Sequence, residues 1–281
     1  MNKAFKYFKK NKKSKKRKAI LGPHAQGVIY NTENGIIALP IEDIGIGKSL
    51  GFNGNWDMEE INILSEYISK DDVVYVIGTH VGTLLIPMAK QVKEVIGYEA
   101  NENTFWYMEM NLCMNRLKNV QLFNYAVGDT NKMVTFYQNT VNSGGSKIAP
   151  QKDNIMYNHD NPDKVEVQMI ALDEHITQQN LSQPNAMLMD IEGAEYYALK
   201  GMPNTLSKLK FLYIEYVPHH LKNVSNISNE QFLEGITPHF TKANFVRNKK
   251  VITYNSDSSE VLNYLNNLTA ANETDDILFS K

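Results

Sequence analysis

The sequence predicts an α/β fold built on a doubly wound sheet with helices on both of its faces. Short runs that are apolar throughout, such as Val73–Ile77 and Phe211–Tyr216, are typical of strands buried on both sides. Segments with apolar residues at helical spacing follow most of these runs. This alternation indicates a mostly parallel sheet, whose ligands bind beyond the carboxyl ends of its strands.

The chain begins with a strongly basic segment, residues 1–18, which is predicted to be a disordered leader. It holds ten basic side chains and no acidic one, whereas the remainder holds 19 basic and 31 acidic side chains. Like charges repel, and the segment has little apolar surface to bury. Two hypotheses stay open for it, a solvated leader and an electrostatic tether to an anionic membrane or polymer. The acidic body excludes a uniformly basic nucleic-acid-binding domain, and no specific nucleic-acid binding is expected.

Cysteine content and hydropathy favour a protein of a reducing compartment. The single cysteine, Cys113, cannot form an intrachain disulfide and is predicted to be buried within a helix. No apolar run approaches the ~18 residues that a membrane-spanning helix needs. The basic N-terminus also lacks the apolar segment of a signal peptide. We therefore expect a cytoplasmic protein, peripheral to the membrane if the basic leader binds one.

Periodicity and turn residues predict the remaining elements in order. Residues 19–70 are predicted to be a lead-in with one or two short strands and a helix from about Asp57, and residues 71–281 the main domain. Strands are predicted at 73–77, 95–98, 120–123, 133–137, 165–170, 186–191, 211–216 and 277–280. Helices are predicted at 84–92, 104–117, 194–201, 230–236 and 259–267. The polar residues 138–164 are predicted to form a long loop.

Glycine and acidic residues close the first two strands of the main domain. The turn Gly78–Gly82 allows a close backbone approach to a ligand, although many turns after strands contain glycine. Glu99 closes the second strand, where a carboxylate can accept hydrogen bonds from ribose hydroxyls or can simply be solvated. The two features together favour the ribose interpretation.

Further polar residues follow the later strands. Asn124–Asp129 either lines an adenine pocket or forms a turn of small residues. The segment Asp190–Glu195 carries three carboxylates, which are costly in a buried position unless they are paired or used. It could hold a substrate hydroxyl, act as a general base or bind a cation, or its acids could favour a helix N-terminus. Glu215 could reach the same crevice, and His219 and His220 are candidate bases.

These stretches, in this order, resemble the FkbM family of S-adenosylmethionine-dependent methyltransferases. The resemblance covers residues 73–216 and rests on Val76–Gly82, Tyr98-Glu99, Asn111, Asn115, Ala126–Asp129, Leu172–Glu174, Asp190–Glu195, Gly201 and Ile214-Glu215. It implies a class I methyltransferase fold, with a Rossmann-like seven-stranded sheet that is mostly parallel and has one antiparallel strand. It also implies S-adenosylmethionine as donor and O-methylation of a hydroxyl on a sugar, a polysaccharide or glycolipid unit, or a secondary metabolite.

The resemblance also implies roles for individual positions. The cofactor-binding residues are expected to be Gly78, His80, Gly82, Glu99, Tyr125, Ala126 and Asp129. The catalytic residues are expected to be Asp190, Glu192 and His219, with His220 as an alternate, one of which would remove the proton of the acceptor hydroxyl. No metal is predicted, although a divalent cation held by Asp190, Glu192 and Glu215 stays an open alternative.

Two departures from the family's pattern bear on the donor. The family's first motif begins with Asp where this chain has Val76, and the family tends to place Lys where this chain has Leu188. Donor binding would then fall to Asp190 and His80. Two other functions are therefore considered: a non-catalytic binding module with a methyltransferase fold, and a nicotinamide-dependent oxidoreductase. The second is disfavoured because Gly78–Gly82 does not fit the usual G-x-G-x-x-G turn.

Overall fold

The computed structural model describes residues 3–152, 154–158, 161–255 and 257–281. These residues form three sheets: a two-stranded hairpin near the N-terminus, a central sheet of eight strands and a smaller sheet of four. Across the described ranges, every helix is too short or too polar to span a membrane. The carboxyl ends of the central strands position the candidate site.

The elements are numbered in chain order. The strands are β1 Gly27–Thr32, β2 Gly35–Pro40, β3 Val73–Ile77, β4 Glu94–Tyr98, β5 Val120–Phe123, β6 Ala126–Gly128, β7 Lys132–Gln138, β8 Lys147–Ile148, β9 Asp163–Ala171, β10 Ala186–Met189, β11 Phe211–Tyr216, β12 Lys242–Phe245, β13 Lys250–Thr253 and β14 Asp275–Ser280. The helices are α1 Lys3–Leu21, α2 Ile46–Asn53, α3 Met58–Ser65, α4 Leu85–Ala89, α5 Glu102–Met114, α6 Ile155–Asn158, α7 Leu172–Gln179, α8 Glu195–Lys200, α9 Pro203–Lys208, α10 Pro218–His220, α11 Asn229–Glu234 and α12 Ser259–Ala271. A 3-10 turn, Ser143–Gly145, and a π turn, Leu221–Ser225, complete the set.

The central sheet confirms the predicted α/β class. Its strand order is β13-β12-β14-β11-β10-β3-β4-β5, and the five strands from β11 to β5 in this order are parallel. Strand β14 pairs antiparallel with both β11 and β12. The expected seven strands with one antiparallel strand become eight with two reversed strands, because β13 folds back on β12 as an added edge strand.

The central strands are buried on both faces, as their apolar sequences predict. Along β3, Val73, Tyr75 and Ile77 face one apolar cluster, whereas Val74 and Val76 face the other. Helices α7–α9, α11 and α12 contribute to the first cluster, and α2–α5 contribute to the second. Packing from both sides holds the strand ends in a fixed arrangement, which a catalytic site requires.

The predicted loop over 138–164 contains regular structure where it is described. Strand β8 pairs with β7, and the smaller sheet has the order β6-β9-β7-β8. The 3-10 turn returns toward the central sheet because the backbone N–H of Ser143 donates to Asp43 Oδ2 at 2.8 Å. This contact, from a residue 100 positions away, holds the segment at the carboxyl edge of the sheet.

The basic leader is helical in its described part, which corrects the prediction of disorder. Near the end of α1, the Ser14 hydroxyl donates to the Glu42 carbonyl oxygen at 2.8 Å, and Arg17 Nη1 donates to the Asp43 carbonyl oxygen at 3.0 Å. A charged helix is marginal alone, so these tertiary contacts explain why the prediction failed. The boundary predicted at residue 18 therefore falls inside a helix.

Helix α5 attaches the N-terminal hairpin to the main domain. Asn111 is buried, and its side chain accepts from the backbone N–H of Ala38 at 2.7 Å and donates to the Ala38 carbonyl oxygen at 2.9 Å. Asn115 forms the same pair of contacts with Ile36, at 3.1 and 2.7 Å. Cys113 lies between these asparagines on the opposite side of the helix and is exposed, so its predicted burial is wrong.

Candidate active site

A cavity of about 320 Å³ lies at the carboxyl ends of β3, β4, β10 and β11. Seven of the predicted site residues line it: Gly78, His80, Glu99, Tyr125, Ala126, Asp190 and Glu192. Three do not line it: Gly82, Asp129 and His219. The topology thus brings together residues that are far apart in the sequence, as expected for strand ends that share one edge.

The glycine turn after β3 lies directly against strand β10. Gly78 has a φ of +86°, and a Cβ at this position would lie 1.9 Å from the carbonyl oxygen of Asp190. Gly82 also has a positive φ, but a Cβ there would meet the Met108 sulfur at 2.4 Å. Gly78 therefore lines the cavity, whereas Gly82 lies against Met108 of α5 and is not among the residues that line the cavity.

Glu99 closes β4 as a buried carboxylate. Its Oε2 accepts from the backbone N–H of His80 at 2.6 Å, and its Oε1 accepts from the backbone N–H of Asn101 at 2.9 Å. Burial raises the pKa of Glu99, and these hydrogen bonds oppose the rise. The Thr104 side chain also hydrogen-bonds to this carboxylate, and the acceptor capacity that remains can serve a hydroxyl group in the cavity.

The predicted adenine-side residues separate in the structure. Tyr125 and Ala126 line the cavity next to Glu99. Asp129 lies beyond strand β6 and pairs with Lys132 at 2.9 Å, with both side chains partly exposed. Asp129 therefore stabilises its own turn, which was the alternative interpretation, and the expected cofactor contact is corrected.

His80 belongs to a hydrogen-bonded chain that runs out of the cavity. Its Nε2 lies 2.7 Å from Ser143 Oγ, and this hydroxyl donates to Asp43 Oδ2 at 2.6 Å. Because the hydroxyl has one proton, His80 Nε2 must be the donor in its contact with Ser143. Burial lowers the pKa of His80, against the attraction of Asp43, which favours the neutral ring. Its buried Nδ1 has no hydrogen-bond partner among the residues that the structure describes.

Asp190 and Glu215 form a carboxyl pair at the ends of β10 and β11. The Asp190 side chain is open to the cavity, whereas Glu215 is half-buried. Desolvation by the protein around the cavity raises the pKa of Asp190 and of Glu215 well above their ordinary values, and the mutual repulsion of the carboxylates adds to this. Such a pair retains one proton between its members and can accept a second, as coupled carboxyls do.

Glu192 is held in a different state by a lysine from another segment. Its backbone lies in the left-handed region at φ +56°, and its Oε2 lies 2.9 Å from Lys147 Nζ and 3.2 Å from His220 Nε2. Burial alone would raise the pKa of Glu192, but the Lys147 ammonium outweighs it and holds the pKa below the ordinary value. Glu192 is therefore ionised at neutral pH.

His220, rather than the predicted His219, reaches the carboxylates. Burial lowers the pKa of His220 to about 3, despite the attraction of Glu192. The His219 ring instead stacks on Tyr157, with 7° between the ring planes and 6.4 Å between their centroids. The expected catalytic role of His219 is corrected accordingly, because its ring lies outside the cavity.

Two charged residues of the site escaped the sequence analysis. Asp43 lies in the lead-in, and Lys147 lies in the predicted loop, so neither follows a strand of the main domain. Both are buried, Lys147 with 4 % of its side chain exposed. A buried lysine needs a paired carboxylate, but the sequence does not reveal which one.

Three side chains of the site offer atoms of the kind that bind metals. Ligand atoms of Glu192, Glu215 and His220 lie within 4.8 Å of one another. Lys147 already supplies a positive charge to Glu192 at 2.9 Å, so a cation would compete with this ammonium.

Solved methyltransferases are among the structures that match this chain. The methyltransferase FkbM from Methylobacillus flagellatus KT is 15% identical, with a TM-score of 0.45, and the match covers 76% of this chain and 44% of that one. TYW2 from M. jannaschii, solved in complex with AdoMet, is 11% identical, with a TM-score of 0.44, and the match covers 92% of this chain and 87% of that one.

The sequence comparisons agree with one another. Hexuronic acid methyltransferase AglP from Haloferax volcanii is 22% identical over 160 residues, which are 57% of this chain. The match spans 62% of the length of that relative. The Methyltransferase FkbM domain matches residues 77–269, from the glycine turn into helix α12. With its mostly parallel sheet flanked by helices, the chain has the class I methyltransferase fold and belongs to the FkbM methyltransferase family.

Proposed function

We propose that the protein is an S-adenosylmethionine-dependent O-methyltransferase. The observation that carries the proposal is the Asp190–Glu215 carboxyl pair, which lines the cavity at the strand ends of a member of the FkbM family. A hydroxyl acceptor must lose its proton as it attacks, and this pair can take it. A non-catalytic binding module would gain nothing from two carboxyls that repel each other in one cavity.

The donor half of the cavity fits the expected cofactor. When bound, S-adenosylmethionine supplies an electrophilic methyl group. Gly78 would allow close approach at the turn, and Glu99 keeps acceptor capacity for a ribose hydroxyl. Tyr125 and Ala126 would face the adenine. His80 contributes a neutral ring with a free Nδ1 acceptor.

The carboxylates have separate roles in the proposed chemistry. The Asp190–Glu215 pair accepts the proton of the acceptor hydroxyl while the new oxygen–carbon bond forms. Glu192 was also a candidate base, but its pairing with Lys147 makes it a poor proton acceptor at neutral pH. We propose instead that the fixed negative charge of Glu192 keeps the pKa of Asp190 high, which makes the pair a stronger base.

The proposed acceptor is a hydroxyl of a sugar or glycan unit. The name of the Haloferax relative, a hexuronic acid methyltransferase, supports a carbohydrate acceptor for this family member as well. A hydroxyl group of a secondary metabolite would meet the same base. Loops around the cavity, rather than the strand ends, would set the choice between them.

Calorimetry and turnover with two variants test the proposal. Glu99→Gln should weaken the binding of S-adenosylhomocysteine, because it removes the acceptor charge from the ribose side. Asp190→Asn should leave this binding within a few-fold and abolish transfer of radiolabelled methyl groups to sugar acceptors. If the wild-type protein shows no saturable binding of S-adenosylhomocysteine, the enzyme assignment fails. If Asp190→Asn turns over normally, the assignment of the base fails.

We also propose that helix α1 binds an anionic membrane surface. Lys9, Lys12, Lys13, Lys15, Lys16 and Lys18 are all exposed along it. Ile20 and Leu21 at its end are 72% and 51% exposed, and Ile29 and Phe52 nearby in the lead-in are 60% and 85% exposed. Basic and apolar groups together fit the charge and the interior of a bilayer better than those of a soluble polyanion. This would make the protein peripheral to the membrane.

A further inference from the structure

The cavity continues from the Asp190–Glu215 pair, away from the expected donor position. This acceptor half is lined by Trp56, Glu60, Tyr213, Glu215, Arg247 and Asp276. It joins the lead-in, through Trp56 and helix α3, to strands β11 and β14 of the central sheet. None of these residues except Glu215 has a role in the proposed proton transfer.

We propose that the acceptor half binds an uncharged sugar through its hydroxyl groups and discriminates against sugars that carry a carboxylate. The proposal rests on the proposed methyltransferase function and specifies the substrate class of the same cavity. It differs from what the name of the hexuronic acid methyltransferase relative would suggest. Four observations carry it: the state of the single arginine, the surrounding carboxyls, the position of the tryptophan and the presence of a base.

The positive charge in the acceptor half is already paired. Among the lining residues that the structure describes, Arg247 is the one side chain with a permanent positive charge. Its Nε donates to Asp276 Oδ2, and its Nη1 lies 3.4 Å from Thr274 Oγ1. A uronate would therefore find no unpaired cation here. It would have to share the half-exposed guanidinium of Arg247 with Asp276, which has 5% of its side chain exposed and already offsets that charge.

The other polar groups suit hydroxyls. The Tyr213 hydroxyl is hydrogen-bonded to Glu60 Oε1, and Tyr213 itself is buried. Burial raises the pKa of Glu60 to about 8, and the negative charge of Asp276 adds to the rise. At neutral pH Glu60 is therefore largely protonated and can both donate and accept, as sugar hydroxyls require.

Trp56 supplies a fixed apolar wall. Its backbone N–H donates to Asn34 Oδ1 at 2.8 Å, and Asn34 Nδ2 donates to its carbonyl oxygen at 2.7 Å. The same Asn34 amide also donates to the Thr83 carbonyl oxygen at 2.9 Å, which ties Trp56 to the segment after the glycine turn. An aromatic wall beside hydrogen-bonding groups matches a sugar ring, which has apolar C–H faces and polar edges.

The chemistry of the acceptor points the same way. A carboxylate at neutral pH has no proton to lose when it attacks a methyl group, so it needs no base. A hydroxyl does need one, and the Asp190–Glu215 pair lies in the same cavity. The pair is therefore useful for a hydroxyl acceptor, and its negative charge would repel a uronate.

Tryptophan fluorescence offers a direct test that does not depend on turnover. The chain has two tryptophans, and Trp106 is half-exposed on α5, outside the cavity lining. In a Trp106→Phe background, Trp56 alone reports on the cavity. The protein, with S-adenosylhomocysteine present, is titrated with the methyl glycosides of glucose, galactose and mannose and with the corresponding methyl glycosides of their uronic acids. The methyl esters of these uronates serve as uncharged controls of nearly equal size.

At least one neutral glycoside should bind about tenfold or more tightly than its uronate, because an unscreened like charge in a partly buried site costs more than 1 kcal/mol. The ester should recover most of the lost affinity. Asp276→Asn should free Arg247 from its ion pair and raise the affinity for uronates about tenfold. The double variant Asp276→Asn/Arg247→Gln, which also lacks the positive charge, should show no such rise in uronate affinity. Glu59→Gln is the matched control, since Glu59 is 82% exposed and lies near Lys249.

The outcomes separate this inference from the proposed function. Equal or tighter binding of every uronate, or no saturable binding of any neutral glycoside at its solubility limit, overturns the inference. If S-adenosylhomocysteine still binds in the calorimetric experiment described for the proposed function, the methyltransferase proposal survives that result. If S-adenosylhomocysteine does not bind, the methyltransferase proposal fails while the sugar titrations still decide the nature of the acceptor half.

Discussion

The buried ion pair between Lys147 and Glu192 provides the sharpest test of how this site is held together. The side chains of Lys147 and Glu192 are 4% and 18% exposed, and their charged atoms lie 2.9 Å apart. Lys147 also lies 5.1 Å from the ring centroid of Tyr157. Lys147→Met keeps the apolar stem and removes the charge. It leaves Glu192 half-buried, with the neutral imidazole of His220 at 3.2 Å in place of a full positive charge.

The expected cost follows from the burial of the pair. Removing one partner of a buried ion pair costs about 3–5 kcal/mol, because an uncompensated charge stays behind. We expect about 3 kcal/mol for Lys147→Met at neutral pH, the lower end of that range, since Glu192 keeps some contact with solvent. The Lys147 charge also contributes to the low pKa of His220, so this pKa should rise in the variant.

The dependence on pH has a definite sign. In the wild type, the pKa of Glu192 lies below its ordinary value, so the pair stabilises the fold at neutral pH and loses its effect as the pH falls through that lowered pKa. In Lys147→Met, burial is no longer opposed, and the pKa of Glu192 rises. The variant should therefore recover stability relative to the wild type as the pH falls from neutrality and Glu192 becomes protonated.

Urea denaturation at several pH values measures this difference. The matched control is Lys132→Met, which removes the partner of Asp129 from a pair with the same 2.9 Å separation but with 47% and 24% of the side chains exposed. Exposed pairs contribute about 0–1 kcal/mol, so the control should lose little. Equal losses in both variants, or a gap to the wild type that does not narrow in acid, would refute the reasoning.

Three further predictions concern the turn, the hydrogen-bonded chain and helix α1. Gly78→Ala should lower the free energy of unfolding by more than ~1 kcal/mol, because its Cβ would lie 1.9 Å from the Asp190 carbonyl oxygen at a φ that disfavours alanine. Asp43→Asn should speed amide exchange over residues 142–146, because it weakens the anchor of that segment. Each of Lys12→Gln and Lys16→Gln should weaken binding to anionic vesicles roughly fivefold, from ~1 kcal/mol per basic residue.

Each of these predictions has a control. Gly54→Ala places alanine at a φ of +75° with no atom within 4 Å, so it isolates the conformational cost from the clash. Asp71→Asn removes a charge from an exposed aspartate and should leave exchange over residues 142–146 unchanged. Lys249→Gln, at a 78% exposed lysine far along the chain, should not affect sedimentation with vesicles. Removing residues 1–18 is unsuitable, because it would cut the contacts of Arg17 with the body.

The central sheet could be predicted because its signals are local. The run Val73–Ile77 was predicted with the bounds that the structure has, since five apolar residues in succession fit a strand buried on both faces. The order of α1 and the structure within 138–164 depend on contacts of Arg17 and Ser143 with Asp43, at sequence separations of 26 and 100 residues. No local sequence pattern indicates such contacts. The basic residues 1–18 and the polar residues 138–164 are therefore predicted from the sequence to be unstructured.

The candidate site also has features that could be predicted from the sequence and features that could not. Glu99, Asp190 and Glu215 could be predicted because each lies at the carboxyl end of a parallel strand, and these ends share one edge of the sheet. The protonation state of each carboxyl could not be predicted, because it depends on neighbouring side chains that the sequence does not show to be close. Asp190 and Glu192 are two residues apart, yet desolvation and repulsion raise the pKa of Asp190 while Lys147 lowers that of Glu192.

The contact of Lys147 with Glu192 bears on how the departure from the family pattern at Leu188 should be interpreted. Leu188 occupies a position where the family tends to have Lys, and it is buried in the apolar cluster on one face of β10. If strand β10 alone is considered, the site therefore lacks the positive charge that the family's Lys would supply. In the structure Lys147, from β8 of the smaller sheet, brings an ammonium to the carboxylates beyond the same strand. Because a positive charge acts through distance and burial rather than through its position in the chain, Leu188 is compatible with an active enzyme. By the same argument, loss of activity on replacing Lys147 should be rescued in part by Leu188→Lys, and failure of any rescue would show that the two positions are not equivalent.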